Sequence, residues 1–249
     1  MNNYTYGLVS VSFRKNSPEE ILSAMKDSDL SVIEWGSDVH APSDDIQNLN
    51  ELVKLQKKYG ISCSSYGTYF RIGVSEKSEI YGIIKAAGIL GTDIIRLWAG
   101  NLSSKEVSGE PKEKFFLECK DLSEIAKENG VKFCLECHNH TYTDDKTAAY
   151  ELIKYVNSPY FKMYWQPNQF KSFDENIACA RLLSPYTENI HVFNWEGKNK
   201  YPLIGAKDAW RTYLSQFDAG KTLLLEFMPD DSIDSLKTEA DSLRSITEE

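Results

Sequence analysis

Eight short apolar runs, each leading toward a segment with helical periodicity, recur along this chain and leave few folds open to it. The runs fall at Tyr4 to Phe13, Leu30 to Trp35, Ile61 to Tyr66, Asp93 to Trp98, Val131 to Glu136, Phe161 to Gln166, Asn189 to Asn194 and Thr222 to Phe227. They recur at intervals of roughly thirty residues, the length of a strand–helix unit. Several helices between them announce their ends. Ser17-Pro18-Glu19-Glu20 reads as an N-cap, a proline at the first helical position and a capping-box glutamate. Gly60, Gly91 and Gly130 each follow an amphipathic stretch, at Asp44 to Tyr59, Glu76 to Leu90 and Lys112 to Asn129. Further helices are expected near Thr147 to Val156, around Ala178 to Leu183, at Lys207 to Gln216 and at Ile233 to Ile246.

Strand–helix alternation requires a crossover between neighbouring strands, hence parallel pairing. Eight such units in 249 residues predict an α/β chain folded as one (β/α)8 TIM barrel, a single domain over 1–249. A doubly wound sheet is the rival. It needs a glycine-rich first turn, and the first run here leads through Ser12-Phe13-Arg14-Lys15.

Composition narrows the partners. A net charge of −9 and a pI near 5.1 argue against a nucleic-acid track or an anionic membrane surface. No apolar run approaches the roughly 18 residues of a bilayer span. Met1 to Phe13 lacks the pattern of a secretion signal. The five cysteines are odd in number and scattered, which fits a reducing cytoplasm. Cys134 and Cys137, three apart on one strand, point to opposite faces and read as core fillers rather than ligands.

In a barrel of this kind the active site forms at the C-terminal ends of the strands. Those ends carry Glu34-Trp35 with His40 just beyond, Tyr66, Arg96 and Trp98, and Glu136 with His138. They also carry Gln166-Pro167-Asn168-Gln169, His191 with Trp195, and Glu226. An ionisable group at the last inward position of a buried strand is costly unless it is paired or bound to a metal, which puts Glu136 first among the candidates. Glu136, His191 and Glu226 form a natural ligand set for one divalent cation. Mixed oxygen and nitrogen donors suit Mn²⁺, Mg²⁺, Co²⁺ or Zn²⁺, and the residues do not choose among them. The two glutamates could equally serve as acid and base on opposite sides of a bound sugar. Trp35, Trp98 and Trp195 offer faces for sugar stacking, or simply cap the barrel.

The chain resembles the sugar phosphate isomerase/epimerase family of xylose isomerase-like barrels. The resemblance rests on Ile33-Glu34-Trp35 with His40, Leu135-Glu136-Cys137-His138-Asn139, Ile190-His191-Val192, Leu225-Glu226-Phe227 and the Pro202-Leu203-Ile204-Gly205 turn before Trp210. It implies a divalent metal held by four residues, three of which match Glu136, His191 and Glu226. It further implies a proton moved between adjacent carbons through a cis-enediolate by the same two glutamates, with His138 orienting substrate oxygens. Two departures stand out. Where such proteins offer an Asp ligand with a His three residues on, this chain has Gln166 and Gln169, so the fourth ligand is expected to be Gln166. Where a Lys-Asp pair follows the strand-seven His, this chain has Phe193-Asn194. An amide can ligate a hard cation through its oxygen but brings no charge.

The resemblance therefore implies a small-molecule sugar or sugar-phosphate substrate, with Glu34, Trp35, His40, Tyr66, Arg96, Trp98, His138, Asn168, Gln169 and Trp195 expected around it. Two alternatives remain open at this point. One is a non-catalytic carbohydrate-binding barrel with a degenerate metal site. The other is a dehydratase or lyase using the same enediolate chemistry. A homo-oligomer is left open too.

Overall fold

The computed structural model describes residues 4–248, so residues 1–3 and 249 of the expected single domain lie outside the described residues. Ten strands alternate with eight helices. They run β1 (Thr5–Val9), α1 (Pro18–Asp27), β2 (Val32–Gly36), α2 (Ile46–Tyr59), β3 (Ser62–Arg71), α3 (Glu79–Leu90), β4 (Ile94–Trp98) and α4 (Gly109–Glu128). Then come β5 (Lys132–Glu136), α5 (Lys146–Val156), β6 (Phe161–Trp165), α6 (Phe173–Leu183) and β7 (Thr187–Val192). A short antiparallel pair, β8 (Trp195–Glu196) and β9 (Asn199–Lys200), precedes α7 (Lys207–Leu214), β10 (Thr222–Leu225) and α8 (Leu236–Thr247).

Eight of the strands close into a barrel in the order β1-β10-β7-β6-β5-β4-β3-β2, and every pairing around the ring is parallel. The expected (β/α)8 barrel is the observed one. Local chemistry accounts for much of it. Ser17 and Glu20 complete the capping box of α1, and Gly60 and Gly91 take the left-handed conformation that ends α2 and α3.

Side chains alternate along each strand, and that alternation splits the core in two. Outward residues such as Leu8, Ile33, Ile95, Leu135, Met163, Ile190 and Leu223 are fully buried against the helices. Inward residues Val9, Val11, Cys134, Tyr164 and Leu224 fill the barrel itself. Tyr164 blocks the interior beneath His191, its ring edge-on at 5.2 Å and its hydroxyl accepting from Asn189 at 2.7 Å.

Two expected strand boundaries shift. The first strand ends at Val9 rather than Phe13, because the Ser10 and Ser12 hydroxyls turn the chain into a 3₁₀ segment. Those hydroxyls accept from the backbone N–H groups of Gly36 and Phe227, each at 2.8 Å. The third strand runs on to Arg71, five residues past Tyr66, so Tyr66 does not stand at its end. The β8–β9 hairpin is an addition to the eight expected strands, and it lies outside the barrel.

Candidate active site

The inward positions at the C-terminal ends of β3 to β7 and β10, with the loops that follow, enclose a cavity of about 280 Å³. Its walls include Arg14, Tyr69, Arg96, Trp98, Glu136, His138, Gln166, Asn168, Gln169, Trp195 and Glu226. Ten of the side chains expected from sequence converge there: these residues apart from Arg14 and Tyr69, together with His191, which lies fully buried just beneath.

Trp35, His40 and Tyr66 do not reach the cavity, which corrects the expectation that they contact substrate. Trp35 and Tyr66 sit one residue out of phase with the inward positions and so face the helices. Trp35 donates to Gln56 Oε1 at 3.0 Å, and the Tyr66 hydroxyl donates to the Ala41 carbonyl at 2.6 Å. His40 bridges two loops through Ser10 Oγ and the Asn16 carbonyl, each at 3.2 Å. Glu34 points inward but lies below the cavity with no exposed surface.

The floor is a charge cluster. Arg96 donates through Nε to Glu34 Oε1 at 3.0 Å and through Nη1 to Glu136 Oε2. His191 Nδ1 lies 3.0 Å from Gln166 Oε1, 3.6 Å from Glu226 Oε2 and 3.8 Å from Glu136 Oε1. Burial opposes charge on every one of these groups, and their neighbours decide the outcome. Arg96 and His191 hold Glu34 down to about 2. Arg96 likewise holds Glu136 below the ordinary carboxylate range. Burial pushes Glu226 up to about 7, with the Glu136 and Glu34 charges adding to it and His191 and Arg96 opposing. Glu226 and Glu34 overcome the burial of His191 and lift it to about 9.

Three carboxylates thus face one guanidinium, and the site draws in positive charge. One oxygen of Glu136, one of Glu226 and a ring nitrogen of His191 lie within 4.8 Å of one another. Ligand bonds of about 2.0–2.2 Å put neighbouring donors roughly 3–4 Å apart, so the set fits a single divalent cation. Gln166 adds an amide oxygen at the same spot. Glu136 keeps Oε1 free for this role because Arg96 engages only Oε2.

Above the floor the walls are aromatic and amide-rich. Trp98 stacks on His138 at 4.3 Å, and the Arg71 guanidinium covers its other side at 3.9 Å. His138 Nδ1 is 2.6 Å from the Asn139 carbonyl, so Nδ1 carries a proton and donates it there. In the neutral ring that leaves Nε2 as an acceptor. Opposite, Trp195 packs on Phe193 and Phe227 at 5.4 and 5.2 Å. Asn168 Nδ2 donates to Asn139 Oδ1 at 2.6 Å, tying two loops together. Phe227 holds a left-handed φ of 55°, a strain of about 1–3 kcal/mol that keeps its ring in the wall.

Arg14 and Tyr69 join the site without having been expected from sequence. Arg14 donates to the Tyr69 hydroxyl at 2.5 Å and to Asp38 at 2.6 Å, at the rim. Tyr69 lies beyond the expected end of β3; its parity with the inward Ser65 and Gly67 is the signal that could have found it. Cys134 faces the barrel interior and Cys137 the opposite side, toward Cys179, and all five cysteines are free.

Known structures share this frame. The probable 3-DHS dehydratase AsbF of Bacillus anthracis superposes with a TM-score of 0.81 at 18% identity, over 96% of this chain and 98% of that one. D-Psicose 3-epimerase from Clostridium cellulolyticum H10, solved with D-tagatose, gives 0.67 at 14% identity, over 98% of each chain. A xylose isomerase-like TIM barrel protein from Mycobacterium smegmatis, solved with magnesium, gives 0.68 at 14% identity, over 94% of this chain and 90% of that one. No curated protein sequence matches this chain. The family model of the xylose isomerase-like TIM barrel matches residues 22–211, well over half of the sequence. This chain belongs to the xylose isomerase-like TIM barrel family.

Proposed function

We propose that this protein is a metal-dependent isomerase or epimerase that moves a proton between adjacent carbons of a sugar or sugar phosphate. One observation carries the reading. Glu136 and Glu226 reach the same small cavity from strands three places apart around the ring, with His191 between them. That places a carboxylate on either side of a bound substrate, as transfer off one carbon and onto the next requires.

A divalent cation held by Glu136, Gln166, His191 and Glu226 would polarise the carbonyl and hydroxyl oxygens of the substrate. The other steps belong to the protein. One glutamate accepts the proton from carbon and the other returns a proton to the neighbouring carbon or the opposite face. Arg96 holds Glu136 ionised and in place. His138 Nε2 accepts from a substrate hydroxyl. Trp98 and Trp195 wall the sugar, and Asn168 and Gln169 hydrogen-bond its rim. The cavity suits one small molecule and excludes a polymer. The epimerase solved with D-tagatose supports a ketose as the substrate class.

A dehydratase begins with the same removal of a proton beside a carbonyl and then expels water instead of reprotonating. The likeness to AsbF supports that second reading.

Ketoses and their phosphates should be screened in D₂O with added Mn²⁺, and deuterium at carbon measured. The parent protein is expected to exchange. Glu136→Gln and Glu226→Gln should each lose a factor of roughly 10²–10⁴, the usual worth of a general base. Release of water with an unsaturated product would select the dehydratase. Sugar binding with no exchange under any metal would leave a binding barrel.

A further inference from the structure

The two ring nitrogens of His191 meet different surroundings. Nδ1 faces the oxygens of Gln166, Glu226 and Glu136 at 3.0, 3.6 and 3.8 Å. Nε2 points the other way, away from the cavity. It is buried, makes no hydrogen bond, and has Glu34 Oε1 3.6 Å from it. Neutral imidazole carries one N–H. A cation bound at Nδ1 occupies the lone pair there, so the ring hydrogen must sit on Nε2. Buried N–H groups need acceptors, and the Glu34 carboxylate is the partner in place among the described residues.

We infer that Glu34 is the positioning residue of the metal centre: its carboxylate accepts from His191 Nε2–H and so holds the ring in the tautomer that leaves Nδ1 free for the cation. This rests on the metal-dependent reading proposed above. Glu34 has no exposed surface and does not line the cavity, so it cannot act on substrate directly.

Its surroundings fit the assignment. Glu34 Oε1 also accepts from Arg96 Nε at 3.0 Å, and Oε2 accepts from the Ser65 hydroxyl at 2.9 Å. These bonds keep the carboxylate from swinging away from His191. The β2–β3 pairing slips register between Ile33 and Glu34, an irregularity that re-aims the side chain at this point. On β3, Gly67 leaves the room Glu34 needs: a Cβ there would stand 2.4 Å from Glu34 Oε1 and 2.9 Å from Arg96 Nη2. A closing shift of a few tenths of an ångström between Nε2 and Oε1 would make the hydrogen bond. Arg96 joins Glu34 to Glu136, so one rigid unit would position both a ligand and the partner of a ligand.

Glu34 could instead serve only to neutralise Arg96. The two roles differ in what they do to metal binding. Long-range ¹H–¹⁵N correlation on the histidine-labelled parent, loaded with Zn²⁺, reads the tautomer without any substitution. His191 is expected to coordinate through Nδ1 and carry its hydrogen on Nε2. Titration calorimetry with Mn²⁺ is the second measurement. Glu34→Gln keeps the size of the side chain but weakens the acceptor, and affinity should fall roughly 10- to 100-fold, the usual loss when such an outer partner is removed. A Glu34→Gln protein that binds Mn²⁺ within about twofold of the parent overturns the inference, as does Zn²⁺ coordination through Nε2. Failure of the parent itself to bind Mn²⁺ would overturn the metal reading and this inference with it, which separates the two.

Discussion

Gln166 brings a dipole to a place where two carboxylates and an imidazole already converge. Its oxygen can complete a ligand set, but it adds nothing to the charge that balances a divalent cation. An aspartate there would replace a dipole with a charge, and the Gln166→Asp variant should bind Mn²⁺ at least about tenfold more tightly, or about 1.4 kcal/mol. Isothermal titration measures this directly. Unchanged or weaker affinity would remove Gln166 from the ligand set. At the same scale His138 has a defined job. Its Nδ1 is committed to the Asn139 carbonyl, and its face is held by Trp98, so only the Nε2 edge is left for substrate.

Strand alternation sorts the candidate residues into two classes with different consequences on substitution. Trp35 lies next to Glu34 in sequence yet faces the helices, where its indole N–H satisfies the buried Gln56. Trp35→Phe should cost about 1–3 kcal/mol of stability, since it leaves that amide oxygen without its donor. Metal affinity and substrate binding should be unaffected. Thermal unfolding beside a Mn²⁺ titration tests it, and weakened metal binding at unchanged stability would contradict the assignment.

The same alternation marks what was legible in the sequence. Eight apolar runs and their capping signals carry the fold, because hydrophobic periodicity and helix ends are local properties. Glu136, His191 and Glu226 were legible because a carboxylate or imidazole at an inward strand end is costly to bury without a partner or a metal. Parity would also have set aside Trp35 and Tyr66, one residue out of phase with the cavity. Tyr69 was not visible with β3 expected to end at Tyr66, and the continuation to Arg71 depends on pairing with β4, a tertiary property. Arg14 lies in a loop whose position is set by Asp38 and Tyr69, residues 24 and 55 positions away. The contact between Glu34 and His191 joins opposite halves of the chain, and only closure of the barrel brings it about.

For the molecule as a whole, the barrel concentrates its buried charge at one end and leaves the rest of the interior apolar. Among the described residues no helix is long and apolar enough to cross a membrane. The net charge of −9 stands against a polyanionic partner and leaves the cavity as the place where chemistry is concentrated. The proposed reaction depends on that cavity holding one cation. Anomalous X-ray scattering from a crystal soaked in Mn²⁺ tests this without reference to any substrate. A single strong peak is expected about 2.0–2.3 Å from Glu136 Oε1, His191 Nδ1 and Glu226 Oε2, with Gln166 Oε1 beside it. No peak at these four side chains, or a peak only elsewhere on the surface, would contradict it.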